Sequence, residues 1–176
     1  APGDPKHFNE QDVLLRLRGA LSTLWNSFVF FDTYITKIQN SKFKFQNSRN
    51  VLDRWVAVKL DALTSEVTER LDGYDVVGAA RLLDRFIVED FSNWYIRRSR
   101  RRFQRPASRS DYTAAALMTG HVLLRLTELM APFTPFLAEM IYQKLKEKLG
   151  LAEESVHLRE WPKVALRQAQ GGSPLL

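Results

Sequence analysis

Six arginines fall within nine consecutive positions of this chain: Arg97, Arg98, Arg100, Arg101, Arg102 and Arg105. A guanidinium is planar and permanently charged, and its forked N–H groups bind phosphate in a bidentate manner and stack on bases. The whole chain holds 26 basic and 20 acidic residues, so without these six the two signs would balance at 20 each. No acidic residue lies between Asp90 and Asp111, so on a helix no carboxylate stands three or four positions away to neutralise any of the six. The pairs 97/101, 98/102 and 101/105 instead place like charges one turn apart, each unfavourable by about 0.2–0.5 kcal/mol. Cations at a helix C-terminus complement its dipole by about 0.3–1 kcal/mol, an effect that fades within one turn and is met by one or two arginines. The excess points to a polyanionic partner, with a solvated helix end as the alternative.

The neighbours of the run extend its chemistry. The residue type of Asn93 suits either reading a base edge or making no contact at all, and Tyr95 is the better candidate for a polar contact, one step round the helix from Trp94, whose spacing continues an apolar stripe. Lys42 and Lys44 alternate with Phe43 and Phe45. That interleaving suits phosphate contacts beside stacking rings, but loop phenylalanines more often tuck back onto a bundle.

Constellations for catalysis are weak. His7, His121 and His157 are scattered, so no metal site is expected. His121 follows Gly120 in mid-helix, which suits a structural role. The acid pairs Glu89-Asp90 and Glu153-Glu154 are better explained by solvation than by acid–base work, and no glycine-rich phosphate loop occurs. The absence of cysteine excludes disulfides and thiolate metal sites and suits a reducing cytoplasm. No apolar run approaches the length of a membrane span, and no secretory signal opens the chain. With 45% hydrophobic and 26% charged residues the composition is that of a soluble globular protein. The start at Ala1, without an initiator methionine, reads as an excised or processed piece.

The elements that must position these residues are helical. Residues 1–8 read as a disordered lead-in. Asn9, with Asp12 three residues on, caps a first helix whose stripe is Leu14, Leu17, Leu21, Leu24, Trp25, Phe28, Phe31 and Ile35. Asn50 with Asp53 repeats the cap, and Leu52, Val56, Leu60, Leu63, Val67 and Leu71 carry a second helix to Gly73. Asp75 caps a third, with the stripe Val76, Ala80, Leu83, Ile87, Phe91 and Trp94. From Asp75 to Phe103 it would run roughly 43 Å at 1.5 Å per residue. The apolar stripe ends before the helix does, so the arginine-bearing last two turns should project beyond the core, and Pro106 ends the element.

Ser108–Asp111 restart the chain into a fourth helix carrying Ala115, Met118, Val122, Leu123, Leu126, Leu129 and Met130, which stops near Pro132. Thr134 caps a fifth, with Pro135 in its first turn, Phe136, Leu137, Met140, Ile141, Leu145 and Leu149 as its apolar face, and Gly150 as its stop. Beyond it the period is lost. Residues 155–162 read as a short extended segment packed by Trp161 onto the bundle, and the residues from Gly171 as a frayed or artificial end.

In this order the motifs resemble a known family. Asn50-Val51-Leu52-Asp53-Arg54-Trp55 opens the second helix, Tyr74-Asp75-Val76-Val77-Gly78-Ala79-Ala80-Arg81 the third, and Ser92-Asn93-Trp94-Tyr95-Ile96-Arg97-Arg98-Ser99-Arg100-Arg101-Arg102-Phe103 closes it. Met130-Ala131-Pro132-Phe133-Thr134-Pro135-Phe136-Leu137-Ala138-Glu139, then Ser155-Val156-His157-Leu158 and Trp161-Pro162, follow. Over roughly residues 11–162 the chain is similar to the anticodon-binding domain of class I aminoacyl-tRNA synthetases. The Ala-Pro-Phe-Thr-Pro-Phe-Leu stretch marks the group, and the arginine run looks like the isoleucyl branch. Gln104 stands where that family carries a further aromatic.

The resemblance implies an all-α bundle of about five helices over residues 9–150, with an irregular C-terminal appendage over 151–176. It implies an isoleucine–tRNA ligase module that binds the anticodon arm of tRNA and orients it for a catalytic domain of the same polypeptide. The His-x-Gly-His and Lys-Met-Ser-Lys-Ser type signatures of catalysis are missing from the chain. Aminoacylation, with its ATP and Mg, therefore belongs to other parts of the parent, and no cofactor is expected in this piece. The tRNA-binding residues so implied are Asn93, Tyr95, Arg97, Arg98, Arg100, Arg101, Arg102 and Arg105, with Lys42 and Lys44; some of the arginines should contact tRNA and some brace neighbouring helices. A cytoplasmic monomer is expected. The alternatives are a valyl or leucyl relative, a general RNA-binding bundle, and a helical protein-interaction module whose basic tip docks an acidic partner.

Overall fold

The computed structural model describes residues 9–11, 14, 17–35 and 50–163. The expectations for residues 1–8, for Lys42, Lys44 and their phenylalanines, and for the tail beyond residue 163 lie outside the described residues.

Among the described residues there are five long helices and no strand. A short turn, Leu17–Leu21, broken at Gly19 (ψ −120°), leads into α1 (Ser22–Tyr34). Then come α2 (Val51–Asp72) and α3, which passes through three consecutive stretches, Val76–Arg85, Phe86–Ile96 and Arg97–Gln104. The last two are α4 (Arg109–Met130) and α5 (Pro135–Leu149), followed by a 3-10 turn, Val156–Leu158.

The helix starts follow from side-chain acceptors. Asn50 accepts from the Leu52 N–H at 2.9 Å, Asp75 from Gly78 at 2.8 Å and Ser108 from Asp111 at 3.1 Å, each satisfying a donor that the first turn leaves open. Thr134 departs from expectation and makes no such cap. Its N–H and hydroxyl donate back to the Met130 carbonyl at 2.9 and 3.4 Å, closing the end of α4 instead of opening α5. At the end of α2 the left-handed residue is Tyr74 (φ 59°), not Gly73 (φ −85°), whereas Gly150 (φ 67°) ends α5 as its type predicts.

The core is built from Leu24, Phe28 and Phe31 of α1, Val56, Leu60 and Val67 of α2, Leu83, Ile87 and Phe91 of α3, Met118, Val122 and Leu126 of α4, and Ile141 and Leu145 of α5. Gly120 explains itself at the crossing of α4: a Cβ there would stand 3.1 Å from both the Phe31 ring and Leu149. Two stripes are corrected. Leu14 and Leu17 are exposed, and on α5 the inward face is Ala138, Ile141, Tyr142 and Leu145, which at 3.6 residues per turn leaves Phe136 and Met140 on the opposite side, exposed.

The largest correction concerns α3. Over Phe86–Ile96 its hydrogen bonds are of the i to i+5 type, and the Arg97 N–H still reaches back to the Ser92 carbonyl. The wider π turn adds a residue to the repeat. After Phe91 the inward position is therefore Tyr95 and not Trp94, and the stripe continues through Ser99, Arg102 and Phe103, all buried. The last two turns do not project beyond the core. The Phe103 ring lies 5.2 Å from Phe30, 6.3 Å from Tyr34 and 6.1 Å from Tyr112, so α1 and α4 enclose the end of α3.

Candidate functional site

The phase shift in α3 sorts the six arginines. Arg102 points inward, where it gives Asp53 two parallel hydrogen bonds at 2.6 and 2.9 Å and Asp111 a third at 2.8 Å. Tyr95 donates its hydroxyl to the same Asp53 carboxylate at 2.9 Å. Burial works against the Arg102 charge, but the bonds to Asp53 outweigh it and hold the guanidinium more firmly protonated than usual. Burial, reinforced by the negative Asp53, pushes the Tyr95 phenol well above its ordinary range. Arg102 is thus the brace that joins α2, α3 and α4. Its neutralising carboxylates come from other helices, which the local spacing along α3 does not show. Arg102 and Tyr95, both expected to face tRNA, are turned away from solvent and spent on Asp53, a correction that follows from the π turn.

The other five arginines, Arg97, Arg98, Arg100, Arg101 and Arg105, are exposed, as is Asn93. None of the five pairs with a carboxylate among the described residues. Spacing of four residues aligns Arg97 and Arg101 along the outer face of α3, and Arg105 extends this exposed ridge just past the helix end, where its backbone leaves helical geometry (φ −144°, ψ 67°). Arg98 places its guanidinium carbon over the Trp94 ring, 3.7 Å from its centroid, and Arg100 leans toward α1 with its guanidinium 5.7 Å from the Phe30 ring. Gln104, where the resembling family has an aromatic, donates to the Tyr34 hydroxyl at 3.1 Å and ties the end of α3 to α1.

Trp94, expected in the core, is 44% exposed. Its ring sits 6.3 Å from that of Trp55 on α2, tilted by 51°, and Lys59 lies over Trp55 at 5.8 Å while pairing with Asp90 at 3.7 Å. This aromatic extension of the basic surface is what the apolar pattern concealed, because a strict 3–4 step assigned Trp94 inward.

Elsewhere the C-terminal segment is strapped across the bundle. Trp161 packs on the core and donates its indole N–H to Thr68 at 2.9 Å. Glu139 accepts from Ser155 at 2.8 Å and from the Val156 N–H at 3.0 Å, and Arg159 bridges Glu128 and Glu153 at 2.6 and 2.5 Å. His121 and Arg125 line the groove beneath this strap. Burial first, and the charge of Arg125 second, push the His121 imidazole down to about 4.

The folded state therefore binds a proton at His121 less readily than the unfolded chain, whose histidine titrates near 6.5. His121 costs nothing in stability above that value, and the penalty grows as pH falls from about 6.5 towards 4. The melting temperature of His121→Gln should fall less steeply over that interval than that of the wild type, by an amount worth about 1–3 kcal/mol at the acid end, as differential scanning calorimetry would show. Parallel curves would mean that His121 takes up its proton as readily in the fold as in the unfolded chain.

Among the described residues no three His, Cys, Asp or Glu side chains gather to hold a metal, and no helix is long and apolar enough to cross a membrane. A five-helix bundle that buries one arginine as a brace and displays five others beside half-exposed rings defines a helical domain organised around a basic surface. The chain belongs to the family of anticodon-binding domains of tRNA ligases, whose profile matches residues 53–171. It is 41% identical over 165 residues to an isoleucine–tRNA ligase of Clostridium acetobutylicum, 39% over 165 residues to that of Thermus thermophilus and 40% over 165 residues to that of Deinococcus radiodurans. These matches take in 92–93% of the chain but only 15–16% of the relatives' length.

Proposed function

We propose that this chain is the tRNA-binding module of a cytoplasmic isoleucine–tRNA ligase, and that the outer face of α3 is where it meets the anticodon arm. The observation that carries this reading is the exposed set Arg97, Arg98, Arg100, Arg101 and Arg105, none paired with a carboxylate among the described residues, beside a sixth arginine held inside. An anticodon loop offers dense phosphate and splayed bases, the form in which proteins usually read RNA sequence. Asn93, at the edge of this surface, is placed to contact a base or ribose. Lys42 and Lys44 remain candidates for phosphate contacts by residue type. The module orients tRNA and adds binding energy that a wrong tRNA does not supply; aminoacylation, ATP and Mg belong to the remainder of the longer polypeptide.

A protein-interaction module with a basic tip is the reading to separate from this one. The chain should bind tRNA in a filter assay with affinity that falls steeply as salt is raised, because phosphate contacts release counterions. Equal retention of tRNA and of an acidic protein at low salt would remove the RNA reading.

A further inference from the structure

Arg98 differs from the other exposed arginines in how it is held. Its guanidinium carbon sits over the Trp94 ring, 3.7 Å from the centroid, and Trp94 is itself backed by Trp55 at 6.3 Å. The positive charge at the far end of this ladder, Lys59, is paired with Asp90, so Arg98 is the member with no carboxylate partner among the described residues. A free arginine loses much of its rotamer freedom when it binds a flat ligand; one already laid on an indole has lost part of it beforehand. Arg98 and Trp94 are both exposed.

We infer that Trp94 and Arg98 form a stacking platform for a single unpaired nucleotide base, which lies on the outer face of the Arg98 guanidinium while the N–H edge of the same group holds an adjacent phosphate. The inference rests on the RNA reading above and deepens it by giving one arginine a base and the ridge Arg97–Arg101–Arg105 the phosphates. Trp94 acts as a positioning residue: it fixes the plane of Arg98 and does not itself read the base. Trp55 backs Trp94 from α2, so the platform spans two helices that the Arg102 brace locks together. Stacking of this kind tolerates any base, so its contribution is to hold a loop nucleotide flipped outward, leaving identity to polar contacts nearby.

The experiment titrates the full chain with an isoleucine tRNA transcript, following indole emission and filter retention together. The wild type should show quenching as a base enters the ladder, and Trp94→Phe should remove most of it with the melting temperature unchanged. Arg98→Lys keeps the charge but not the plane, and should weaken binding about tenfold with an unaltered salt slope. Arg98→Ala made in a Trp94→Ala background should cost far less than Arg98→Ala alone, because the two act as a unit. Wild-type affinity for Arg98→Lys, or additive losses in the double variant, overturns the platform while leaving tRNA binding intact. A chain that binds no tRNA at all overturns both this and the reading beneath it.

Discussion

Arg102→Met is expected to be the most damaging single substitution at the basic end of α3, costing about 3–5 kcal/mol in a urea denaturation followed by circular dichroism. The magnitude follows from what is left behind. Asp53 is fully buried on α2, and Arg102 supplies it with two charge-assisted bonds and simultaneously holds Asp111 on α4. Methionine replaces the aliphatic stem of the arginine but none of its N–H groups, so the buried Asp53 carboxylate keeps the Tyr95 hydroxyl but loses both charge-assisted bonds. Adding Asp53→Asn to this variant should restore part of the loss, since a neutral amide is cheaper to bury than an uncompensated charge. Arg102→Lys should fall between, because an ammonium cannot span both carboxylate oxygens in parallel. A loss below about 1 kcal/mol for Arg102→Met would mean that water reaches Asp53.

The triple substitution Arg97→Ala, Arg101→Ala, Arg105→Ala should have the opposite profile. All three are exposed and have no carboxylate partner among the described residues. If each neutralises one phosphate of a single-stranded loop, the slope of log affinity against log salt should flatten by about 2, and affinity at 0.1 M salt should drop roughly 30- to 100-fold. Stability should stay level or rise slightly, because two like-charge contacts of about 0.2–0.5 kcal/mol each are relieved in a helix that alanine favours. A melting temperature that falls with tRNA affinity would assign the ridge to bracing. The contrast between this variant and Arg102→Met separates surface from brace, two roles held by the same residue type within nine positions.

That separation shows what could be read from residue types and where the reading stopped. Side chains that act on their own backbone were legible: Asn50, Asp75 and Ser108 cap the helices they precede, and Gly150 ends α5. So was the charge excess at residues 97–105, because it depends on composition alone. The orientation of each arginine was not, since one π stretch over Phe86–Ile96 turns the remainder of α3 by a residue and exchanges Trp94 with Tyr95. Nothing in the apolar spacing marks that extra residue.

One signal did exist. Asp53 precedes Val56 by three and Leu60 by seven, so it stands on the inward stripe of α2, and a carboxylate there requires a buried donor from elsewhere. Read that way, Asp53 calls for an arginine, though not for Arg102 in particular. Thr134 erred for a related reason: a hydroxyl between two helices can close the first or open the second, and here it closes α4.

The ridge and the Trp94–Arg98 platform are expected to meet the anticodon arm of one tRNA. Nuclease footprinting of the full chain on isoleucine and valine tRNA transcripts tests this most directly. Protection should be confined to the anticodon arm, be stronger on the isoleucine tRNA, and vanish with the triple arginine variant. Protection spread evenly over both tRNAs, or unchanged in that variant, would contradict it.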